Sequence, residues 1–357
     1  MVALMRALGL LCAVLTTTLL SGCAIPYYWQ AATGHLELLS SRVPIAEALA
    51  DPGQTEATRA ALRRAVEIRE YAVAALGLPD NDSYRSFVDL GRPYVVWNVV
   101  AAEEFSVDPV DWCFPISGCV TYRGYFEEAN AEQFAADLRD RGLETYIGGV
   151  SAYSTLGYFA DPLLSSMLTG DESYVAGIVF HELAHQRAYI KGDTAINEAF
   201  ATVVSEYGTA QWLSQFEDGA VVDVHTARRE RRQDFFALIA RYQARLRDLY
   251  SSDAPIEEKR SLKSTVLADL LMDYESLKTS WGGATDYDAW FSNPLNNAQL
   301  ASVVAYSRWL PNLRAFLNAN GLDALYAEME MLEALSAEER EMRLEGYLSA
   351  AQGSEIG

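Results

Sequence analysis

Two histidines and a glutamate in one short run have the spacing of a metal site. The run reads Phe-His-Glu-Leu-Ala-His, with the polar side chains at His181, Glu182 and His185. On a helix, residues four apart lie on one face about 6 Å from each other, so both imidazoles can turn toward one point. Glu182 lies about 100° further round the helix and borders that point. Two neutral imidazoles suit Zn²⁺, and the neighbouring carboxylate suits a water molecule that the metal acidifies.

A tetrahedral catalytic zinc site needs a third protein ligand and keeps its fourth position for water. We expect the histidine-bearing helix to end at Gly192, because glycine adopts the left-handed conformation at low cost. Asp193 or Thr194 can then cap a second helix. His185 lies seven residues before Gly192 and Glu198 lies six residues after it. An antiparallel helical hairpin places these two residues opposite each other, so Glu198 is the predicted third ligand.

A single HExxH motif can also arise by chance or form a salt-bridged helix face. The chain contains only four histidines, and two of them belong to this motif. The flanking residues are apolar, which would surround a metal with a dry wall. These observations favour a metal site over a purely structural one.

The motif and its surroundings resemble two groups of proteins. HELAH followed by Asn-Glu-Ala-Phe-Ala is similar to the gluzincin metallopeptidases, in which a glutamate ligand follows an asparagine on a second helix. The longer run HELAHQ with GDTAINEAFAT resembles a family of bacterial lipoproteins described as predicted aminopeptidases. Further segments that resemble this family extend over nearly the whole mature chain: Gly34–Leu39, Ser83–Arg85, Arg92–Asn98, Trp112–Pro115 and Tyr122–Phe126.

The resemblance implies metal ligands at His181, His185 and Glu198, and a general base and acid at Glu182. Twelve residues separate His185 from Glu198, fewer than in well-studied gluzincins, and Thr202 stands where some of those carry an acidic residue. The resemblance therefore supports the zinc-ligand assignment, but it does not extend to substrate preference.

The N-terminus has the pattern of an export signal. Met1–Arg6 carries one positive charge, and the apolar run Ala7–Leu20 is shorter than the roughly 20 residues of a membrane-spanning helix. The run ends in Leu-Ser-Gly before Cys23, which resembles a lipobox with Cys23 as the lipidated residue. An ordinary cleaved signal and an uncleaved anchor are the alternatives. Ala24, a residue other than aspartate after the cysteine, indicates the outer membrane, facing the periplasm.

Two of the four cysteines remain available for pairing, because Cys12 lies in the predicted signal and Cys23 would carry the lipid. Cys113 and Cys119 are six residues apart, with proline and glycine between them, and can close a small loop. An exported protein would oxidise this pair, so we predict a disulfide. A second metal site is the alternative, but no histidine lies nearby.

The composition excludes some partners and leaves others open. With 28 basic and 49 acidic residues, the formal net charge is −21, which argues against nucleic-acid binding and against electrostatic attachment to anionic lipids. The membrane contact would therefore come from the lipid on Cys23. Half of the residues are hydrophobic, enough for a large core.

The periodicity predicts an α+β, predominantly helical fold with a small β-sheet and a C-terminal helical region, and the resemblance implies zincin-like active-site helices. Residues 1–22 are the predicted signal peptide and residues 23–357 a single metallopeptidase domain. Within it, N-terminal helices and the sheet extend to about 170, the active-site helices span 171–217, and helices occupy 218–357. The predicted strands are Tyr94–Val100, Thr121–Phe126 and Leu143–Val150. The predicted helices are Gln54–Leu76, Ala129–Arg141, Ala195–Phe216, Val221–Ser251, Pro255–Ser280 and Ala298–Asn318.

Several polar residues carry weaker signals. Tyr153 and Tyr158 are candidates for stabilising an oxyanion, although core packing is the favoured interpretation in a chain with 20 tyrosines. The basic run Arg228–Arg232 is interpreted as a solvated helix face. His35 and His225 lack metal-ligand spacing.

The sequence as a whole predicts a peptidase that binds one Zn²⁺ per chain and acts on peptide substrates, with aminopeptidase activity implied by the resemblance. An endopeptidase or cell-wall amidase with the same zinc chemistry is one alternative. A non-catalytic envelope lipoprotein with structural zinc is the other.

Overall fold

Helices dominate the described part of the chain. The computed structural model describes residues 25–114, 118–152, 154–216 and 219–354, and these contain thirteen α-helices and eight short strands. The predicted fold class, α+β and predominantly helical, is confirmed. The predicted signal peptide and Cys23 lie outside the described residues.

The elements alternate before residue 170 and are almost purely helical after it. The first part contains α1 (Ile25–Ser40), β1 (Val43–Pro44), α2 (Ile45–Ala50), α3 (Glu56–Leu76), β2 (Ser86–Val88), β3 (Val96–Ala102), β4 (Trp112–Phe114), β5 (Gly118–Val120), β6 (Arg123–Tyr125), α4 (Glu128–Asp140), β7 (Glu144–Val150), β8 (Leu163–Leu164) and a 3₁₀ turn (Ser165–Leu168). The second part contains α5 (Glu172–Arg187), α6 (Thr194–Leu213), α7 (Gly219–Ser251), α8 (Ile256–Ser280), α9 (Asp288–Phe291), α10 (Asn297–Ser307), α11 (Leu310–Asn320), α12 (Leu322–Glu333) and α13 (Ala337–Ser354).

The strands form small separate sheets. The largest is antiparallel, in the order β6-β3-β7, and its register places Asn98 of the central strand beside Gly124 and Gly148. The helix α4 packs on it, because Ala131 and Leu138 bury themselves against this sheet. A second sheet has the order β1-β2-β8, and β4 pairs with β5 as a hairpin. The strands predicted from the sequence thus belong to the β6-β3-β7 sheet.

The largest core surrounds the helical pair α5–α6. Phe180 and Leu183 of α5 are fully buried, as is Phe200 of α6. Apolar residues of α3, α11 and α12 pack in the same cluster, so the predicted active-site helices stand at its centre. A separate aromatic cluster joins α7 to α8 and α9, where the rings of Tyr274 and Phe291 stack 3.9 Å apart.

One predicted helix, Ala298–Asn318, is wrong, because the structure divides it into α10 and α11. Pro311 lies in the first turn of α11. Proline has no N–H to donate, and its ring clashes with the carbonyl four residues earlier, so α10 cannot continue through it. The other predicted helices occur with small shifts at their ends. No helix in the described ranges is both long and apolar enough to cross a bilayer.

Candidate metal and active site

The helix α5 carries the HExxH run, and its N-terminus is capped. Asp171 caps its N-terminus, because its side chain accepts a hydrogen bond from the Tyr174 amide at 3.0 Å. The helix ends at Arg187, and Ala188 is extended. The prediction that the helix ends at Gly192 is therefore wrong, although Gly192 does take a positive φ of 80° in the following turn.

Asn197 explains why the chain leaves the helix early. Its side-chain oxygen accepts from the Ile190 amide and its side-chain nitrogen donates to the Ile190 carbonyl, both at 2.7 Å. The two bonds satisfy backbone groups that a longer helix would otherwise have satisfied. Asn197 is almost fully buried. The asparagine next to Glu198 thus fixes the connection between the two helices.

The helix α6 begins at Thr194 with Asp193 as its cap, one of the two predicted capping residues. The Asp193 carboxylate accepts from the Ile196 amide at 3.3 Å, and Arg340 of α13 donates to its other oxygen at 3.1 Å. Further along, the Ser205 hydroxyl donates to the Gly177 carbonyl of α5 at 2.7 Å. Capping and cross-linking together fix α6 beside α5.

The three predicted ligands meet between these helices. The Nε2 atoms of His181 and His185 are 3.2 Å apart. One carboxylate oxygen of Glu198 lies 3.3 Å from the His181 Nε2, and the other lies 3.7 Å from the His185 Nε2. All the donor atoms fall within 4.8 Å of one another, in a group that could hold a metal ion.

The electrostatics of this group depend on Glu198. Burial favours the neutral carboxyl, but the charge of His185 and the hydrogen bond from His181 outweigh it and lower the pKa of Glu198. Burial alone would lower the pKa of His181, yet the hydrogen bond and charge of Glu198 raise it. Burial lowers the pKa of His185 to about 4. The protein therefore offers one neutral imidazole, one basic imidazole and a carboxylate.

Glu182 lies in the same cleft beside the three donor atoms. Burial raises its pKa to about 7, with further increases from the charges of Glu198 and Asp161 and a decrease from His181. A carboxyl with a pKa near neutrality can both accept and release a proton at physiological pH.

Two tyrosines that the sequence did not single out lie near the donor group. Tyr122 follows β5 and Tyr189 follows α5, and both line the cleft. Burial raises the pKa of each phenol, and the Glu198 carboxylate raises it further, so both keep their protons. Tyr158 is 71% exposed and does not line the cleft, and Tyr153 lies outside the described residues.

The cleft itself has a volume of about 800 Å³ and extends well beyond the donor group. Val96 and Asn98 of β3 form part of one wall, as does the segment from Val150 to Ala152. Another wall comes from α7, where Arg228, Arg229 and Arg232 line the cleft together with His225. The interpretation of this basic run as a solvated face is therefore wrong for Arg229 and Arg232, which are half-buried in the cleft wall, whereas Arg228 is exposed. Of the weaker candidates, His35 also lines the cleft.

The predicted disulfide between Cys113 and Cys119 is confirmed, and it links β4 to β5 across the hairpin. Gly118 of this hairpin has a φ of 78°, and a Cβ there would come within 2.8 Å of the Gly192 amide nitrogen. Glycine therefore permits the hairpin to approach the turn between α5 and α6. Phe114 and Val120 of the same hairpin line the cleft, so the disulfide braces part of its wall.

Gln186, the residue after the HExxH motif, connects α5 to two loops. Its side-chain oxygen accepts from Asn81 at 2.7 Å, and its nitrogen lies 3.4 Å from the buried carboxylate of Asp161. Asp161 in turn accepts from the Thr155 amide at 2.9 Å. The segment around Thr155 is thereby tied to the active-site helix.

The fold and the site together define a class: a predominantly helical α+β protein with a potential His-His-Glu metal site between two helices at the base of a large cleft. A family model described as "Putative aminopeptidase" matches residues 26–344. The chain belongs to this family. No curated protein and no solved structure matches the chain.

Proposed function

We propose that the protein is a zinc-dependent peptidase, and specifically an aminopeptidase, of the gluzincin type. The observation that carries the proposal is the convergence of His181, His185 and Glu198 on one point, with Glu182 beside them in the cleft. Membership of the family supports peptide substrates.

The spacing of the donor atoms fits a zinc ion. Two nitrogens bound to tetrahedral zinc at about 2.0–2.1 Å would be roughly 3.3 Å apart, and the two Nε2 atoms are 3.2 Å apart. Two imidazoles and one carboxylate are also a donor set of catalytic zinc sites with one open position. His181, His185 and Glu198 would hold the ion.

When bound, zinc supplies a Lewis acid that polarises the scissile carbonyl and lowers the pKa of a water molecule. Glu182 would take the proton from the attacking water and deliver it to the leaving amine. Asn197 would act through the backbone of Ile190, keeping Glu198 in place.

The oxygen that gains charge in the tetrahedral intermediate needs a donor, and Tyr122 is the residue that we propose. Its phenol is kept protonated by burial and by the neighbouring carboxylates of Glu198 and Glu182. A phenol that keeps its proton at neutral pH can donate a hydrogen bond to a developing negative charge.

We also propose that the mature protein is anchored to the outer membrane through lipid on Cys23 and faces the periplasm. The Cys113–Cys119 disulfide supports an oxidising compartment. Mass spectrometry of the N-terminal peptide from membranes tests this: diacylglycerol on Cys23 is expected, and an unmodified N-terminus after signal cleavage would refute the anchor.

The test of the activity compares zinc content with hydrolysis of free-amine and N-acetylated peptides, in the wild type and in Glu182→Gln. One equivalent of zinc in both proteins, with cleavage of only free-amine peptides by the wild type, is the expected result. Equal cleavage of acetylated peptides would indicate an endopeptidase or cell-wall amidase instead. Zinc without cleavage of any peptide would favour a structural metal in a non-catalytic envelope lipoprotein.

A further inference from the structure

The cleft continues past the donor group into a region lined by basic residues of α7. His225, Arg228, Arg229 and Arg232 recur at intervals of three or four and therefore share one helix face. All of them line the cleft. Residues of α5 and α6 form the facing wall. We call this region the arginine arm, and it is lined by His225, Arg228, Arg229, Arg232, Ser173, Gly177, Ser205, Glu206 and Thr209.

Several polar atoms of the arginine arm have no partner among the described residues. The buried atoms without a hydrogen bond include Nε of Arg229, Nε2 of His225, Oγ1 of Thr209 and one oxygen of Glu206. Within the described ranges, Arg229 and Arg232 form no ion pair. Buried polar groups in folded proteins are nearly always satisfied. Unsatisfied atoms on both walls of one arm therefore indicate a polar ligand between them.

The charge of the arm is positive once its ion pairs are counted. Asp171 is paired with Arg228, and the other oxygen of Glu206 accepts from Arg314 at 2.8 Å. These pairs leave the charges of Arg229 and Arg232. Such an excess stands out in a chain with a net charge of −21, and it suits an anion.

The length of the arm sets the distance between this anion and the reacting bond. Arg232 lies seven residues after His225 on α7, and Glu206 lies eight residues after Glu198 on α6. Both intervals correspond to about 10–12 Å of helix. An extended peptide covers about 3.3–3.6 Å per residue, so the arm spans about three residues.

We propose that the arginine arm binds a carboxylate of the peptide substrate, up to about three residues beyond the scissile bond. The guanidinium groups of Arg229 and Arg232 would hold it, because a planar guanidinium matches both oxygens of a carboxylate. The inference rests on the proposed function: an aminopeptidase accepts one residue before the scissile bond, so a carboxylate this far away belongs to the leaving peptide. Its source is either the C-terminus of a short peptide or an acidic side chain.

The test uses three peptides that differ only in their carboxylates. They are trialanine with a free C-terminus, trialanine amide, and an Ala-Ala-Glu amide whose carboxylate is on the side chain. For each peptide, kcat/KM is measured with the zinc-loaded wild type, and the dissociation constant is measured by calorimetry with Glu182→Gln. We expect the free acid to have a kcat/KM on the order of 30-fold higher, and a dissociation constant on the order of 30-fold lower, than trialanine amide.

The variants are Arg229→Gln with Arg232→Gln, and the matched control is Arg231→Gln. Arg231 lies on the same helix but pairs with Asp286 at 2.9 Å and does not line the cleft. We expect the double variant to lose the preference, so that its kcat/KM for the free acid falls to about its value for trialanine amide. The control should keep the preference.

Two results would overturn the proposal. One is equal treatment of acid and amide by the wild type; the other is an equal loss for both peptides in the double variant. If the Ala-Ala-Glu amide behaves like the free acid, the arm accepts acidic side chains; if it behaves like trialanine amide, the arm requires the C-terminus. Absence of any hydrolysis would refute the proposed function alone, because binding to Glu182→Gln still measures the preference for the acid.

Discussion

Two regions of the cleft, the donor group and the arginine arm, balance their charges in opposite ways. At the donor group, the negative charge of Glu198 lies within 3.7 Å of the Nε2 atoms of both His181 and His185. In the arginine arm, the Nε of Arg229 and the Nε2 of His225 are buried without a hydrogen bond to any described residue. The donor group pairs its own charges, while the arginine arm presents polar groups that have no partner among the described residues.

This difference separates the two kinds of binding that a peptidase needs. A metal site requires donor atoms already close together, and Glu198 holds that arrangement by its attraction to the imidazoles. A substrate subsite requires groups that stay unpaired until the substrate arrives. Each unsatisfied buried polar group destabilises the folded protein by about 1–3 kcal/mol. A ligand that hydrogen-bonds to the groups of the arm would recover part of this free energy. The cleft therefore combines a donor group whose charges are paired within the protein with an arginine arm whose polar groups need a ligand as partner.

The largest effect that we expect comes from Glu182→Gln, which separates catalysis from metal retention. The amide preserves shape but cannot accept the proton, so kcat should fall on the order of 10⁴-fold. Zinc content should stay at one equivalent, since Glu182 is not among the three donor residues. Metal analysis and peptide hydrolysis on the same sample measure both.

His181→Ala is the companion variant, because it removes one of the three donor residues themselves. We expect it to lose zinc and activity together. Full activity in Glu182→Gln, or full zinc occupancy in His181→Ala, would contradict the assignment of this end of the cleft.

Tyr122→Phe should produce the next largest effect. Loss of one hydrogen bond to the developing oxyanion lowers kcat about 10²-fold, while KM and zinc content remain close to the wild type. Tyr189→Phe serves as the comparison, since both phenols line the cleft and both have pKa values raised by burial and Glu198. A larger loss of kcat in Tyr189→Phe would transfer the proposed role to that residue.

The sequence predicted the donor group because its information is local. His181 and His185 are one turn apart on any helix, and Glu198 needed only a short turn between two helices. The exact turn was not predictable, because it depends on the bonds from Asn197 to Ile190. Gly192 predicted the end of α5 at the wrong residue, because the buried side chain of Asn197 fixes the chain in a turn that begins after Arg187.

The arginine arm and Tyr122 could not be predicted in the same way. The spacing of Arg228, Arg229 and Arg232 is identical for a helix face in solvent and for one facing a cleft, so only the packing of α7 decides between them. Tyr122 lies between two short strands, about 60 residues before the motif. No periodic pattern connects it to α5. Contacts between segments that are far apart in the chain cannot be predicted from local sequence patterns.

Asn197→Ala tests how firmly the donor group is held. The substitution leaves the Ile190 amide without its partner and the Ile190 carbonyl with only the Asp193 amide, at 3.2 Å, which should lower the free energy of unfolding by about 1–3 kcal/mol. Loss of this support should weaken zinc binding about tenfold to 100-fold. Thermal unfolding and zinc titration measure the two effects.

The matched control is Asn320→Ala, because, among the residues that the structure describes, the exposed side chain of Asn320 donates only to the Phe316 carbonyl. We expect its free energy of unfolding to change by less than about 0.5 kcal/mol. Equal effects of the two substitutions would mean that Asn197 has no special role in holding the site.

The smallest effect concerns pH, and it follows from the unequal histidines. The Glu198 hydrogen bond and charge raise the pKa of His181 despite burial, whereas burial lowers the pKa of His185 to about 4. Below the raised pKa of His181, one proton must leave before zinc can bind, while His185 stays neutral and Glu198 stays charged down to much lower pH. Zinc affinity should therefore fall about tenfold per pH unit as the pH drops below that value, with a slope of one proton. Zinc titration between pH 5 and 8, about the range in which histidines titrate, measures the slope. A slope of two protons would show that both imidazoles are protonated over the same pH range. Glu198 would then not raise the pKa of His181 above that of His185.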